Sequence, residues 1–297
     1  MRTIADRYKI TCPIGQGGMG QVWRGTDLRL NRPVAIKLIR SGDLVSAEDA
    51  RRRFNREARI TARICHPGVP TVYDFGNDGD LFMIMEALSG DSIGKLKDEF
   101  ERLPYPWAAF IGAQVCAVLA AAHDAGLIHR DVKAENLVLC PNGMVKVVDF
   151  GVATALGASE FSTITSFGQI PGSARYMAPE LIKGESVSQA SDLYAVGCLL
   201  YELLTGSRPF QHDDLLREIA RSQEEEPPPM EGVPAELEDL TLRLLAKSPE
   251  DRPDRAITVY RRLFSFIGNP SPLHGWVERD VSTDPVRMYA AALSCLG

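Results

Sequence analysis

One stretch constrains this chain more than any other: residues 127–151, LIHRDVKAENLVLCPNGMVKVVDFG. Its acidic, amide and basic side chains are set between short apolar runs at 137–139 and 145–148, which read as strands able to hold them in place. The Asn142-Gly143 pair reads as the tight turn of a hairpin, because both residues tolerate positive φ. Asn136 then leads into one strand and Asp149 follows the other, so an amide and a carboxylate distant in sequence become neighbours. Two hard oxygen ligands side by side suggest a magnesium site, since magnesium completes its shell with phosphate oxygens.

His129-Arg130-Asp131, Lys133, Asn136 and Asp149-Phe150-Gly151 together resemble the catalytic loop and metal-binding motif of eukaryotic-type protein kinases. Taken alone, a His-Arg-Asp tripeptide is more often a surface charge cluster. Here Asp149-Phe150-Gly151 and then Ala178-Pro179-Glu180 follow it in the family's order. The resemblance implies an α+β, two-lobed protein kinase fold, with a small, mainly antiparallel β N-lobe carrying one helix and a larger, mainly helical C-lobe. It places the N-lobe at residues 1–88 and the C-lobe at 89–267. Residues 268–297 match no part of the shared core and form a C-terminal extension, which either docks back through Trp276 and Tyr289 or binds a partner.

Gly15, Gly17 and Gly20 fit GxGxxG, and backbone without Cβ atoms can lie against phosphates. Short β-prone runs at 8–10 and 21–24 flank this loop. A dinucleotide fold would put a helix after it, so the pattern resembles instead the kinase loop that covers ATP. The resemblance adds Ile14, Val22 and Ala35 to the nucleotide contacts. Lys37 sits inside the apolar run 34–39; a lone lysine there usually points to water, but the resemblance has it hold the α and β phosphates. A helical pattern over 47–65 carries Glu57 at the border of its apolar stripe, and Glu57 is the implied partner of Lys37. Met85, Glu86 and Leu88 resemble the interlobe hinge, with backbone groups of Glu86 and Leu88 binding adenine and Met85 guarding the space behind.

In the same comparison Asp131 accepts the proton of the substrate hydroxyl, Lys133 steadies the transferred phosphate, and Asn136 and Asp149 hold the metal. Lys133 is typical of members directed at Ser and Thr, and Ala134 stands where many relatives have proline. The hydroxyl-rich segment 151–177 resembles an activation loop, with Thr163 and Thr165 as expected phosphosites ahead of Ser162 and Ser166. Ser173 occupies the place of a threonine that usually touches Asp131 and Lys133. Asp192 resembles the aspartate that braces the catalytic loop, and Arg252 the arginine that pairs with Glu180.

A 45% hydrophobic fraction supports a packed core, and a net charge of −6 carries no nucleic-acid footprint. Six cysteines without a CxxC pair favour reduced thiols over disulfides or zinc. The apolar runs 108–122 and 193–204 are shorter than the ~20 residues of a membrane span, and Gln114 and Glu202 interrupt them. They read as buried helices. The N-terminus has no apolar centre of a signal peptide, so the expectation is cytoplasmic, with no membrane segment.

GGMGQVW and HRDVKAEN look most like bacterial eukaryotic-like Ser/Thr kinases, without a receptor part. The expected function is transfer of the γ-phosphoryl of ATP to Ser/Thr hydroxyls of protein substrates. The expected cofactors are ATP and Mg2+, with Mn2+ as a substitute, and the activation loop is expected to be autophosphorylated through a transient homodimer. Two alternatives stay open: a pseudokinase scaffold that binds nucleotide and partners, and a small-molecule phosphotransferase of similar fold.

Overall fold

The computed structural model describes residues 2–17, 20–39, 58–59, 61–150 and 172–277. The first lobe is a six-stranded antiparallel sheet in the order β1-β2-β3-β4-β6-β5. Its strands are β1 Thr3–Ile4, β2 Tyr8–Gly17, β3 Gly20–Asp27, β4 Arg32–Ile39, β5 Val72–Asp78 and β6 Asp80–Glu86. Successive side chains of a strand point to opposite faces. Ile36 and Leu38 therefore share one face, where they pack with Ile10, Phe82 and Ile84. Ala35 and Lys37 take the other. Register pairs Val22 with Lys37 and Ala35 with Met85, which gathers the expected nucleotide contacts on one side.

The glycine-rich stretch is not a loop between separate short strands, as the sequence had suggested. β2 and β3 run into it and pair Gly17 with Gly20. The two edges of the sheet are joined by side chains. Ala5 N–H donates to Asp78 Oδ2 at 2.8 Å, Tyr8 Oη to Asp74 Oδ2 at 2.6 Å, and Arg2 Nη2 to Asp80 Oδ2 at 2.9 Å. Of the helical pattern at 47–65, only the final turn is described, where Ala62 N–H donates to Ala58 O at 2.9 Å.

The chain leaves this sheet at Glu86 and enters a second, three-stranded one at Asp91. There β7 (Asp91–Ser92), β8 (Leu137–Leu139) and β9 (Val145–Val147) lie in that order. Gly90 makes the crossing at φ +124°, and a Cβ on it would lie 2.1 Å from Leu139 O, so no other residue fits. In the β8–β9 connection only Gly143 takes positive φ (+84°), and Asn142 does not. The link is thus a longer turn closed by Cys140 N–H to Met144 O at 2.8 Å, and not a two-residue hairpin turn.

Seven helices follow the hinge among the described residues: α1 Ile93–Glu99, α2 Tyr105–Asp124, α3 Pro179–Ile182, α4 Gln189–Thr205, α5 Leu215–Glu224, α6 Ala235–Leu244 and α7 Ala256–Phe264. Helices α2 and α4 are buried on nearly every side, which fits the centre of a lobe. α2 is, among the described residues, the one helix long and apolar enough to cross a membrane, and 89% of that window is buried in the protein. Glu180 and Arg252 form a bidentate pair in this lobe, both contacts 2.8 Å, with Ser191 Oγ donating to the same carboxylate.

Residues 268–277 pack on the helical lobe. Leu273 and Val277 enter its core, Trp107 Nε1 donates to Ser271 O at 2.7 Å, and Trp276 Nε1 donates to Glu99 Oε2 at 2.7 Å. Tyr289 lies outside the described residues. The α+β, two-lobed architecture expected from the sequence is the one the chain adopts, with a curled antiparallel sheet joined to a helical lobe.

Candidate active site

The segment His129–Asp131 is held from Asp192 on α4. This buried carboxylate accepts His129 N–H at 2.9 Å, Arg130 N–H at 2.8 Å and His123 Nε2 at 2.8 Å. Arg130 is held at φ +69°, a left-handed conformation costly for a residue with a Cβ. The Asp192 contact offsets that strain. His129 is fully buried; its Nε2 donates to Val148 O at 3.0 Å and its Nδ1 accepts from Asp131 N–H at 3.3 Å. One imidazole therefore joins the loop bearing Asp131 to the strand leading to Asp149, and its ring lies edge-on to Phe150 at 4.7 Å.

Around Asp131 the side chains converge. Lys133 Nζ lies 2.6 Å from Asp131 Oδ2, and Asn136 Nδ2 donates to the same oxygen and to Asp131 O, each at 2.8 Å. Both donors go to Oδ2, so Oδ1 is the oxygen left for an incoming hydroxyl. Asn136 spends its amide nitrogen in this way, leaving its carbonyl oxygen as the candidate ligand.

Lys37 Nζ contacts Asp149 Oδ1 at 2.6 Å, with the lysine side chain 7% and the aspartate 38% exposed. Asp149 sits at φ +62°. Burial pushes its carboxyl pKa up, but the charge and hydrogen bond of Lys37, with the charge of Lys133, outweigh this and carry it below the usual carboxylate range. An ionised carboxylate and a carboxamide oxygen are both hard donors, and the two residues fit a hard divalent cation. Among the described residues no cluster of three His, Cys, Asp or Glu offers a rival metal site.

At the end of β6, Glu86 N–H is already used by Thr71 O at 2.9 Å. The Glu86 carboxylate accepts Lys146 Nζ at 2.8 Å and Thr71 N–H at 3.2 Å, an ion pair between the hinge and β9. Met85 and Leu88 are half-buried beside it, and Ile14 is 55% exposed at the mouth of the glycine-rich turn. Tyr176 Oη donates to Glu202, which also receives Lys97 Nζ at 2.8 Å; this ties the turn Gly172–Tyr176 to α4 and α1.

The structure thus brings Lys37, Asp131, Lys133, Asn136 and Asp149 together from both lobes. Glu57, Thr163 and Thr165 lie outside the described residues, so the direct partner of Lys37 described here is Asp149. Sequence reasoning missed His123, Lys146 and Gln114. The first two are ordinary polar positions by spacing alone, and Gln114 read only as an interruption in an apolar run.

A profile of the protein kinase domain matches residues 8–262. The chain is similar to the serine/threonine-protein kinase PknA of Mycobacterium tuberculosis strain H37Rv, 37% identical over 257 residues that make up 84% of this chain and 59% of that protein. It is also similar to the serine/threonine-protein kinase pkn3 of Myxococcus xanthus, 38% identical over 268 residues, 86% of this chain and 49% of that protein. With PknB of Mycobacterium leprae the identity is 37% over 258 residues, 84% of this chain and 41% of that protein. The chain spans about half the length of these curated relatives.

Proposed function

This chain belongs to the protein kinase family, and on that premise we propose that it transfers the γ-phosphoryl group of ATP to Ser or Thr hydroxyls of protein substrates. The observation that carries the reading is the double restraint on Asp131. With Oδ2 fixed by Lys133 and Asn136, Oδ1 is oriented to accept the proton of a substrate hydroxyl as its oxygen attacks phosphorus. Lys133 lies where it can offset charge on the group in transit, and Lys37 where it can hold the non-transferred phosphates once it exchanges Asp149 for them.

Asn136 and Asp149 would hold Mg2+, or Mn2+ in its place. When bound, that cation supplies charge neutralisation at the phosphate oxygens. The protein's own work is positioning, so most of the rate comes from donor and acceptor being held in line. Glu57 is assigned as the nucleotide-bound partner of Lys37. Backbone groups of Glu86 and Leu88 are assigned to adenine, with Ile14, Val22, Ala35 and Met85 around it and the backbone of Gly15, Gly17 and Gly20 over the phosphates. Thr163 and Thr165 are the proposed autophosphorylation sites, reached through a transient homodimer. A reducing, cytoplasmic setting agrees with Cys12, Cys65, Cys116, Cys140 and Cys198 being free thiols.

The test is incubation with labelled ATP and Mg2+. Wild type should label itself or a general protein acceptor on Ser or Thr, and Asp131→Asn should reduce the rate by about 10²–10⁴-fold while nucleotide still binds. Nucleotide binding by wild type without transfer to any protein would make the chain a scaffold instead.

A further inference from the structure

Among the described residues strand β9, which leads to Asp149, is the edge of its sheet, and its outward N–H groups face no described strand. Two of them are nevertheless met. Val147 N–H donates to Gly68 O at 2.8 Å, and Val145 N–H donates to Gln114 Oε1 at 2.9 Å. Gln114 is fully buried on α2 among apolar side chains. Its Nε2 donates to Gly143 O at 3.1 Å in the turn of the same hairpin, and to Phe110 O of its own helix at 3.5 Å. One amide thus grips both the turn and the strand edge, as donor to one and acceptor to the other. A hydrocarbon of equal length would fill the space and leave both buried groups unpaired.

The opposite end of the hairpin carries the chemistry. Val148 N–H donates to Asn136 O at 2.9 Å, so Asn136 and Asp149 leave the open end of the two strands whose closed end Gln114 holds. Between those ends the register is only Leu137 to Val147, Val138 to Lys146 and Leu139 to Val145. β7 adds only two residue pairs, on the far side of β8, so β9 depends on contacts outside so short a ladder to hold its geometry. We infer that Gln114 is a positioning residue: it sets the tilt and register of the β8–β9 hairpin, and through them the separation of the Asn136 carbonyl oxygen and the Asp149 carboxylate. Its consequence for catalysis rests on the reading of that pair as the cation ligands.

The test compares three forms of the full chain. Gln114→Met keeps length and removes both hydrogen-bonding ends. Gln114→Glu restores both only as the neutral acid, which burial favours. Val118→Ala, at a buried apolar position of the same helix, serves as a control for lost packing. The readouts are amide exchange at Val147 and Val148 without nucleotide, and the Mg2+ concentration for half-maximal ATP binding. Gln114→Met should speed exchange at both amides and raise the Mg2+ requirement about tenfold, in the range for lost supporting contacts behind metal ligands. Val118→Ala should move the requirement less than about twofold at a comparable loss of thermal stability. Gln114→Glu should recover towards wild type as pH is lowered. Equal exchange and equal Mg2+ requirement in Gln114→Met and Val118→Ala would overturn the inference. A wild-type chain that binds ATP without transferring phosphoryl would refute the proposed function only, because both readouts are taken without turnover.

Discussion

The two lobes place their polar contacts differently. In the N-lobe the sheet is closed by ion pairs and hydrogen bonds that reach solvent on at least one side. Arg7 grips Asp27 at 2.7 Å with its own side chain 29% exposed, and Arg2, paired with Asp80, is 51% exposed. In the C-lobe the Glu180–Arg252 pair is dry on both sides, 3% and 0% exposed, and lies against α4, where Arg252 also donates to Ala190 O at 2.9 Å. A contact with a wet side can be replaced by solvent when broken; a dry one leaves a charge stranded. Exposed pairs such as Arg255–Asp124 and Arg243–Asp239 occur in the C-lobe too, so the comparison to be tested is between the ties of the N-lobe sheet and this one dry pair.

The sharpest way to break this contrast is Arg252→Met. Glu180 would remain buried with only Ser191 and a backbone N–H as donors, and its carboxyl, pushed up by burial but carried below its usual pKa chiefly by Arg252, would lose its main support. The expected cost is about 3–5 kcal/mol, a fall in melting temperature on the order of 10 °C. A thermal scan with a fall of only about a degree would show that the dry pair is no more critical than a wet one.

The second prediction concerns pH and the N-lobe. The hydrogen bond from Arg7, helped by the N–H groups of Leu30 and Arg29 against the opposing effect of burial, lowers the Asp27 pKa from 3.8 in a free side chain to about 2. A carboxyl whose folded pKa is depressed stabilises the fold above its unfolded value, and that contribution is lost as pH falls. Here the window runs from 3.8 down to about 2. Asp27→Asn should melt a few degrees below wild type at neutral pH, and the two curves should approach each other through that window. Curves that stay parallel down to pH about 2 would mean that Asp27 is not titrating against Arg7.

Which parts of this were legible beforehand follows the same division. Helices α2 and α4 of the C-lobe appear in the sequence as apolar runs, because a helix buried on nearly all sides is written mostly with apolar residues. Asp131, Asn136 and Asp149 were legible in the sequence because they sit in the motifs that carry the family resemblance, and the structure gives each of them a side-chain contact within the site. The N-lobe ties were not: Arg7, Asp27, Asp74 and Asp80 look like any surface charges, and their pairing depends on how the sheet curls. Asn142-Gly143 misled for a related reason, since tolerance of positive φ is permission, and only Gly143 used it. Gln114 looked like an imperfection in an apolar helix because its partners, Gly143 O and Val145 N–H, are backbone groups that carry no sequence signal.

The smallest effect tests whether the contrast is between lobes or between wet and dry contacts. Trp276 Nε1 donates to Glu99 at 2.7 Å on the exposed surface of the helical lobe, while Leu273 and Val277 beside it are buried. Trp276→Phe removes the donor, keeps an aromatic ring and leaves Glu99 to water. If burial governs, this C-lobe contact behaves like an N-lobe tie and its loss costs about 0.5–1.5 kcal/mol, or about 3 °C in melting temperature. If the lobe governs, the loss approaches that of Arg252→Met. Since α1 carries Glu99 and packs on the turn Ala134–Asn136, the same variant also reports on the site. A change in stability with an unaltered Mg2+ requirement would assign residues 268–277 to holding the fold, leaving the geometry of Asn136 to Gln114 and the hairpin.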